Sequence, residues 1–306
     1  MSGVVLNTGT ALQADAPAVA AQPSRLRHFL RALWRSRSGR FGAILLLLIL
    51  LATLGADLLP LADPVKRHLS LRYLPPVWLD KGQWAYPLGT DGQGRDMLAR
   101  IIYGARSSVV VGLAAVALSG AIGVAIGVLA GLRGGWLDQV LMRVVDAILA
   151  IPAMLFMLVV ALVAGAGLAP LIVVIALTNW VIYTRIARAE VLRVKELEFV
   201  AAARVSRVRS SRLLLRHILP NILPALVVVA TLNIGTVILT ESSLSFLGFG
   251  IQPPDISWGQ MLADGRQQLA TSWWISTFPG VALTATVFSI ILLGDWLRDY
   301  LDPRLP

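Results

Sequence analysis

The sequence has no cysteine, which excludes a disulfide framework, a thiolate metal site and a cysteine nucleophile. It has only three histidines, too few to favour a catalytic metal centre. Lysine occurs only as Lys66, Lys81 and Lys195, and none sits in a GxxxxGK[ST] phosphate loop, so the chain is not expected to hydrolyse ATP. There is also no HExxH, no GxSxG and no His/Cys ligand cluster, hence no catalytic residue, no metal ligand and no cofactor to assign. Charge itself is scarce. Charged residues make up 14% of the chain and hydrophobic ones 57%, with a mean hydropathy of +0.74. Soluble domains average about 25% charged and about 45–50% apolar, so the composition is that of a polytopic membrane protein.

A membrane span needs about 20 mostly apolar residues. Six segments qualify, at roughly 41–59, 107–132, 140–165, 168–186, 218–247 and 275–294. The net charge of +10 is then explained by cytoplasmic loops and not by nucleic acid. The N-terminal tail carries Arg25, Arg27, Arg31, Arg35, Arg37 and Arg40 against Asp15. The short loop after the second span carries Arg133 and Arg143, and the loop after the fourth carries Arg188, Arg193, Lys195 and five further arginines. With six spans all three lie on one side, the cytoplasm, together with both termini. The loop over 60–106, with seven basic residues, is the exception, and long loops follow the charge rule poorly.

The expected organisation is therefore all-α. Residues 1–24, rich in Ala, Gly, Ser, Thr and Pro, read as a disordered cytoplasmic tail. Residues 25–40 read as a basic amphipathic helix on an anionic leaflet, because Leu26, Phe29, Leu30, Leu33 and Trp34 recur at helical spacing among arginines. An ordinary basic flank fits the same residues. The first span (41–59) and an external loop (60–106) follow, then a core over 107–306 that includes a cytoplasmic loop at 187–217. Gly123, Gly127 and Gly131 in the second span are small residues at four-residue spacing, either a tight seam near a transport path or generic helix packing.

Ionisable groups at bilayer depth usually mark ion or proton routes, and only Asp146 and Glu241 come close. Asp146 could equally pair with Arg143 at the inner interface. So little buried charge argues against a self-contained ion-coupled carrier, and the absence of a nucleophile or metal set argues against an intramembrane enzyme. Thr178, Asn179, Thr231, Asn233 and Glu241 are the candidates for a translocation path; the neutral ones serve equally well as hydrogen bonds between helices.

The segment EFVAAARVSRVRSSRLLLRHILPN, Glu198 to Asn221, is a basic insert between two apolar spans. It resembles the cytoplasmic coupling loop of ABC importer permeases. Three further stretches look like the dipeptide, oligopeptide and nickel importers of that family: PLGTDGQGRDMLARIIYGARSS (Pro87 to Ser108), LSFLGFGIQPPDISWGQMLADGR (Leu244 to Arg266) and LLGDWLRDYLDPRL (Leu292 to Leu305). Four matches in order span roughly residues 25–306 and resemble the C-type permease of the usual pair. The resemblance implies a type I ABC importer permease fold in a bacterial inner membrane. Its implied partners are a homologous second permease, two cytoplasmic ATPase subunits and a periplasmic or lipid-anchored solute-binding protein. Membrane lipid surrounds it. Di- or oligopeptide is the implied substrate, with nickel or another small solute as the alternative.

By the same resemblance the ATPase-coupling residues are Phe199, Val200, Ala201, Ala202, Ala203, Arg204, Ser206, Arg207, Ser210, Arg212, Leu219 and Pro220. Ala202, Ala203, Arg204, His217, Leu219, Pro220 and Asn221 match the family pattern. Ala201 and Arg207 depart from it, standing where the family usually has Glu and Gly. Gly would end the first short helix cheaply. Without it, either Ser206, Ser210 and Ser211 cap a second helix and the turn survives with altered geometry, or the first helix runs on.

Overall fold

The computed structural model describes residues 25–206 and 208–301, so the tail at 1–24, Arg207 and the end of the C-terminal stretch lie outside the described residues. Among the described residues the chain is helical, with no strand beyond a single bridge between Thr90 and Asp96. The helices are α1 (Arg25–Arg35), α2 (Arg37–Leu54), α3 (Met97–Arg133), α4 (Gly135–Leu149), α5 (Ala153–Ala164), α6 (Leu168–Lys195), α7 (Glu198–Val205), α8 (Ser210–Leu213), α9 (Leu219–Phe246), α10 (Trp258–Gly265) and α11 (Trp274–Leu301). A π-turn, Leu214–Ile218, joins α8 to α9. Among the described residues, five helical segments are long and apolar enough to cross a membrane: α2, α3, α6, the run from α8 through α9, and α11. Helices α4 and α5 pass the same test only as a pair, bent by 88°.

Several boundaries differ from the sequence reading: α1 ends at Arg35 and not at 40, the first span is α2 at Arg37–Leu54 and not 41–59, α6 continues past 186 to Lys195 and α11 past 294 to Leu301. Two differences change the architecture. The stretch 140–165 is not one straight span. It breaks at Ala150 to Pro152, because the residue before a proline is driven out of the helical region and Pro152 has no N–H to continue the ladder. Helix α3 begins at Met97, ten residues before the expected start of the second span, capped by the Asp96 carboxylate accepting from Leu98 N–H at 3.0 Å. At 37 residues it is about 55 Å long, far more than a bilayer core of about 30 Å. Its first turns carry Arg100 and Arg106, which hid the helix from a hydropathy reading.

Those arginines are paired. Arg95 Nε donates to Asp91 at 2.6 Å, Arg100 Nε lies 3.5 Å from the same carboxylate, and both approach Asp264 of α10. Arg95, Arg100 and Asp91 are buried while Asp264 is half exposed. The 60–96 segment is thereby clamped to α3 and α10. Two indoles reinforce the clamp, Trp274 Nε1 donating to Thr90 O at 3.1 Å and Trp258 Nε1 to Ile101 O at 2.9 Å. Arg106 donates to Asp57 at 2.8 Å, and its hydrogen bond, with that of Tyr103, holds the Asp57 carboxyl below the usual range. Removing one partner of a buried ion pair costs about 3–5 kcal/mol. Asp91→Ala is therefore expected to free the 60–96 segment, read as faster cleavage of that segment in limited proteolysis of the purified protein.

The most extensive helix contact is α3 against α6. A Cβ at Gly123 or Gly127 would come under 3.0 Å from the backbone oxygens of Trp180 or Thr184, so these glycines let the two backbones touch. Gly131 meets Val191 in the same way one turn further on. At the opposite edge, α2 and α9 pack on α11. Ser36 ends α1 and caps α2, accepting from Gly39 N–H at 3.1 Å. Helix α1 lays Phe29 edge-on against Trp296 and Tyr300 at the end of α11, with ring centroids 5.0 and 5.3 Å away. Leu26, Leu30 and Trp34 form an exposed stripe on α1.

Candidate functional site

The loop between α6 and α9 is a small folded unit. Helix α6 ends at Lys195, and the Leu197 carbonyl accepts from Val200 N–H at 2.9 Å and from Ala201 N–H at 3.2 Å, turning the chain into α7. The inner face of α7 packs on its own spans: Val200 is fully buried and Ala203 contacts the cluster of Val194, Leu213, Ile218 and Ile222. Its outer face carries Phe199, Ala202 and Val205 at spacings of three, all exposed, Val205 at 85%. Ala201, Ser206, Ser210 and Arg212 are exposed as well. Helix α7 stops at Val205 without the family's glycine, and Val208 N–H returns to Ala203 O at 3.2 Å. The expected serine caps are not used. Arg209 occupies the cap position of α8 and makes no side-chain cap bond.

Leu219 and Pro220 explain the π-turn. Pro220 has no N–H, and its ring would press on the carbonyl four residues back, that of Arg216. The turn widens instead, with Leu219 N–H bonding five residues back to Leu214 O. The Asn221 side chain donates to His217 O at 2.6 Å. Leu219 is partly buried and Pro220 exposed.

The five candidate path residues each have their own hydrogen-bond partners. Glu241 is sealed: Ser108 donates to Oε2 at 3.0 Å, Ser242 to Oε2 at 3.3 Å and Ser245 to Oε1 at 2.7 Å, and the glutamate has no exposed surface. Ser245 Oγ also accepts Ile251 N–H at 3.2 Å, which ties the loop after α9 to this carboxylate. Asn233 donates to the Tyr183 hydroxyl at 3.1 Å and Asn179 to Ile175 O at 3.1 Å, both buried. Thr178 and Thr231 bond back to Val174 O and Val227 O and stay partly exposed. Asp146, for which the sequence suggested Arg143, pairs with Arg185 of α6 at 2.5 Å.

The sequence matches the family described as binding-protein-dependent transport system inner membrane component over residues 123–305. The chain belongs to that family. This permease is 36% identical over 283 residues to a di/tripeptide transport system permease protein of Pseudomonas aeruginosa, covering 92% of this chain and 93% of the relative. It is 37% identical over 291 residues to a dipeptide transport system permease protein of Haemophilus influenzae, covering 95% and 99%. A putative peptide transport system permease protein of Brucella suis is 41% identical over 277 residues, 90% of each chain. Among solved structures, the inward-facing methionine ABC transporter MetNI aligns with a TM-score of 0.57 at 18% identity, over 67% of this chain and 98% of that one. That likeness shows a shared fold. The permease is thus a multi-pass, all-α transport subunit of the ABC importer class.

Sequence reasoning missed three features of the permease: the Asp91–Arg95–Arg100–Asp264 network, the Tyr183–Asn233 bond between α6 and α9, and the arginines of α6 that face α4. Only the last had a readable signal, Arg185 and Arg188 at helical spacing in an otherwise apolar span.

Proposed function

We propose that this chain is the C-type permease of an ATP-driven importer for di- or oligopeptides in a bacterial inner membrane, with both termini and the 187–217 loop in the cytoplasm. It works beside a homologous permease. Substrate arrives from a solute-binding protein, and ATP is hydrolysed by two separate cytoplasmic subunits, so the chain itself is not an enzyme. The carrying observation is the exposed apolar face Phe199–Ala202–Val205 on a short helix bound at both ends to membrane spans. An ATPase that grips this face moves α6 and α9 together, as one body. Peptide, rather than nickel, is favoured by the names of the three relatives. Within the path set, Thr178 and Thr231 keep part of their surface exposed, while Asn179, Asn233 and Glu241 are buried in bonds within and between helices.

Uptake by the reconstituted complex tests the reading, with a radiolabelled dipeptide and labelled nickel compared side by side. Dipeptide uptake that requires the binding protein and ATP is expected; nickel uptake alone would replace the substrate assignment. Orientation is tested in the cysteine-free chain. Asp91 and Trp258 are buried, so Trp84, 84% exposed in the same outer loop as Asp91, is the better reporter. A membrane-impermeant maleimide is expected to label Trp84→Cys from outside, and Ser210→Cys only after the membrane is opened. The reverse pattern would invert the topology.

A further inference from the structure

Helix α4 is poorly held by packing. It has 15 residues and buries only Val145. Trp136, Val140 and Val144, at spacings of four, stand exposed along one side. Apolar burial is what normally fixes a helix in place, and α4 has little of it. Its firm attachments are ionic, and they lead to α6. Arg188 grips Asp138 with both arms of its guanidinium, Nε to Oδ1 at 2.5 Å and Nη2 to Oδ2 at 2.6 Å. Arg185 reaches Asp146 at 2.5 Å. Asp138 and Asp146 are eight residues apart and Arg185 and Arg188 three apart, so one face of α4 meets one face of α6 in two rungs.

The first rung is the stronger. The Asp138 side chain is 14% exposed and that of Arg188 31%, so water screens this pair less than the second, where both side chains are about half exposed. A bidentate arginine–carboxylate pair is also directional, since sliding or twisting breaks two bonds together. A third cation completes the block. Lys195 Nζ donates to Gly131 O at 2.8 Å and Leu132 O at 3.3 Å, tying the last turn of α6 to the last carbonyls of α3. Three residues after Lys195 the coupling helix α7 begins. At its other end α4 runs into the Ala150–Pro152 break and the 88° bend to α5.

We propose that Asp138 and Arg188, backed by Asp146 and Arg185, are positioning residues that carry the movement of the coupling helix from α6 into α4. The proposal rests on the reading that α7 docks the ATPase. The clamp makes α4 follow α6; α5 already packs on α6 directly, through Met157 and Ala161. Without it, α6 and α9 would still move with the ATPase while α4, with one buried residue, lagged behind.

The test uses the complete transporter, with both permeases, the ATPase subunits and the binding protein, in proteoliposomes supplied with radiolabelled dialanine. The readout is dipeptide imported per ATP hydrolysed. Asp138→Asn and Arg188→Gln are each expected to lower that ratio by about tenfold while ATPase co-purification and ATP hydrolysis stay within about twofold of the parent; the double exchange Asp138→Arg/Arg188→Asp should recover most of the ratio, as expected of a coupled pair. An unchanged ratio in both single variants overturns the proposal, as does a double exchange no better than the worse single. If the single variants fail to accumulate, Asp138→Cys/Arg188→Cys decides. A short cleavable bis-methanethiosulfonate link should raise the ratio and reductant should lower it again, and a ratio indifferent to the link overturns the clamp. Ala202→Asp is run alongside. Normal transport and ATPase retention in that variant would remove the docking reading itself, whereas loss of ATPase there with an intact ratio in Asp138→Asn would remove the clamp alone.

Discussion

Ala202→Asp is expected to abolish uptake and release the ATPase subunits, while the permease itself still accumulates in the membrane. Ala202 lies on the exposed face of α7 between Phe199 and Val205, so a carboxylate there meets only water in the free chain. In a docked complex it would be buried among apolar side chains with no partner. An uncompensated buried charge costs about 3–5 kcal/mol, which weakens binding by roughly a hundredfold or more. Ala203→Asp is the contrasting variant. Ala203 packs on the loop's own core, so its aspartate should also lower the amount of folded permease. Arg212→Ala, at an exposed position, should cost under about 1 kcal/mol. Co-purification of the ATPase and the membrane content of permease, measured together, separate the three outcomes. Ala202→Asp retaining its ATPase would remove α7 as the docking element.

Gly127→Val should be more damaging still, leaving no folded permease to assay. A Cβ at this position already presses on the Thr184 carbonyl and Ala187 Cβ, both fixed by α6 itself, so no flexible side chain can yield. Overpacking in a tight core costs about 1–3 kcal/mol, and here the two backbones would have to part along the longest seam in the molecule. The expected result is loss of the monodisperse peak in fluorescence-detection size exclusion. Gly120→Ala, on the same helix with its nearest neighbours at 3.8 Å or more, should be silent.

The spans were legible in the sequence because lipid demands long apolar runs, and the motif resemblances led to the family that the matched residues show. What escaped were features set by pairs distant in sequence. Arg95 and Arg100 looked like an exposed basic loop because Asp264, the partner that helps bury them, lies far along the chain. The start of α3 was missed for the same reason. Glu241 looked like a lone acid at bilayer depth; Ser245, four residues along the same helix, stood at bonding distance in the sequence, but Ser108 becomes a partner only when α3 packs on α9. The inner and outer faces of α7 follow 3.6-residue periodicity, yet eight residues rich in alanine give too little contrast to phase them.

The π-turn at Leu214–Ile218 has a consequence for angular phase. In an ordinary helix each residue advances the azimuth by about 100°, so the direction a side chain faces in α8 would be locked to the direction faced in α9. The wider turn holds one residue more than an α-turn would, which offsets the two azimuths without interrupting the hydrogen-bonded rod. The face shown by α8 and the face shown by α9 are therefore rotated against each other by the step of a single residue, fixed by the proline that widens the turn.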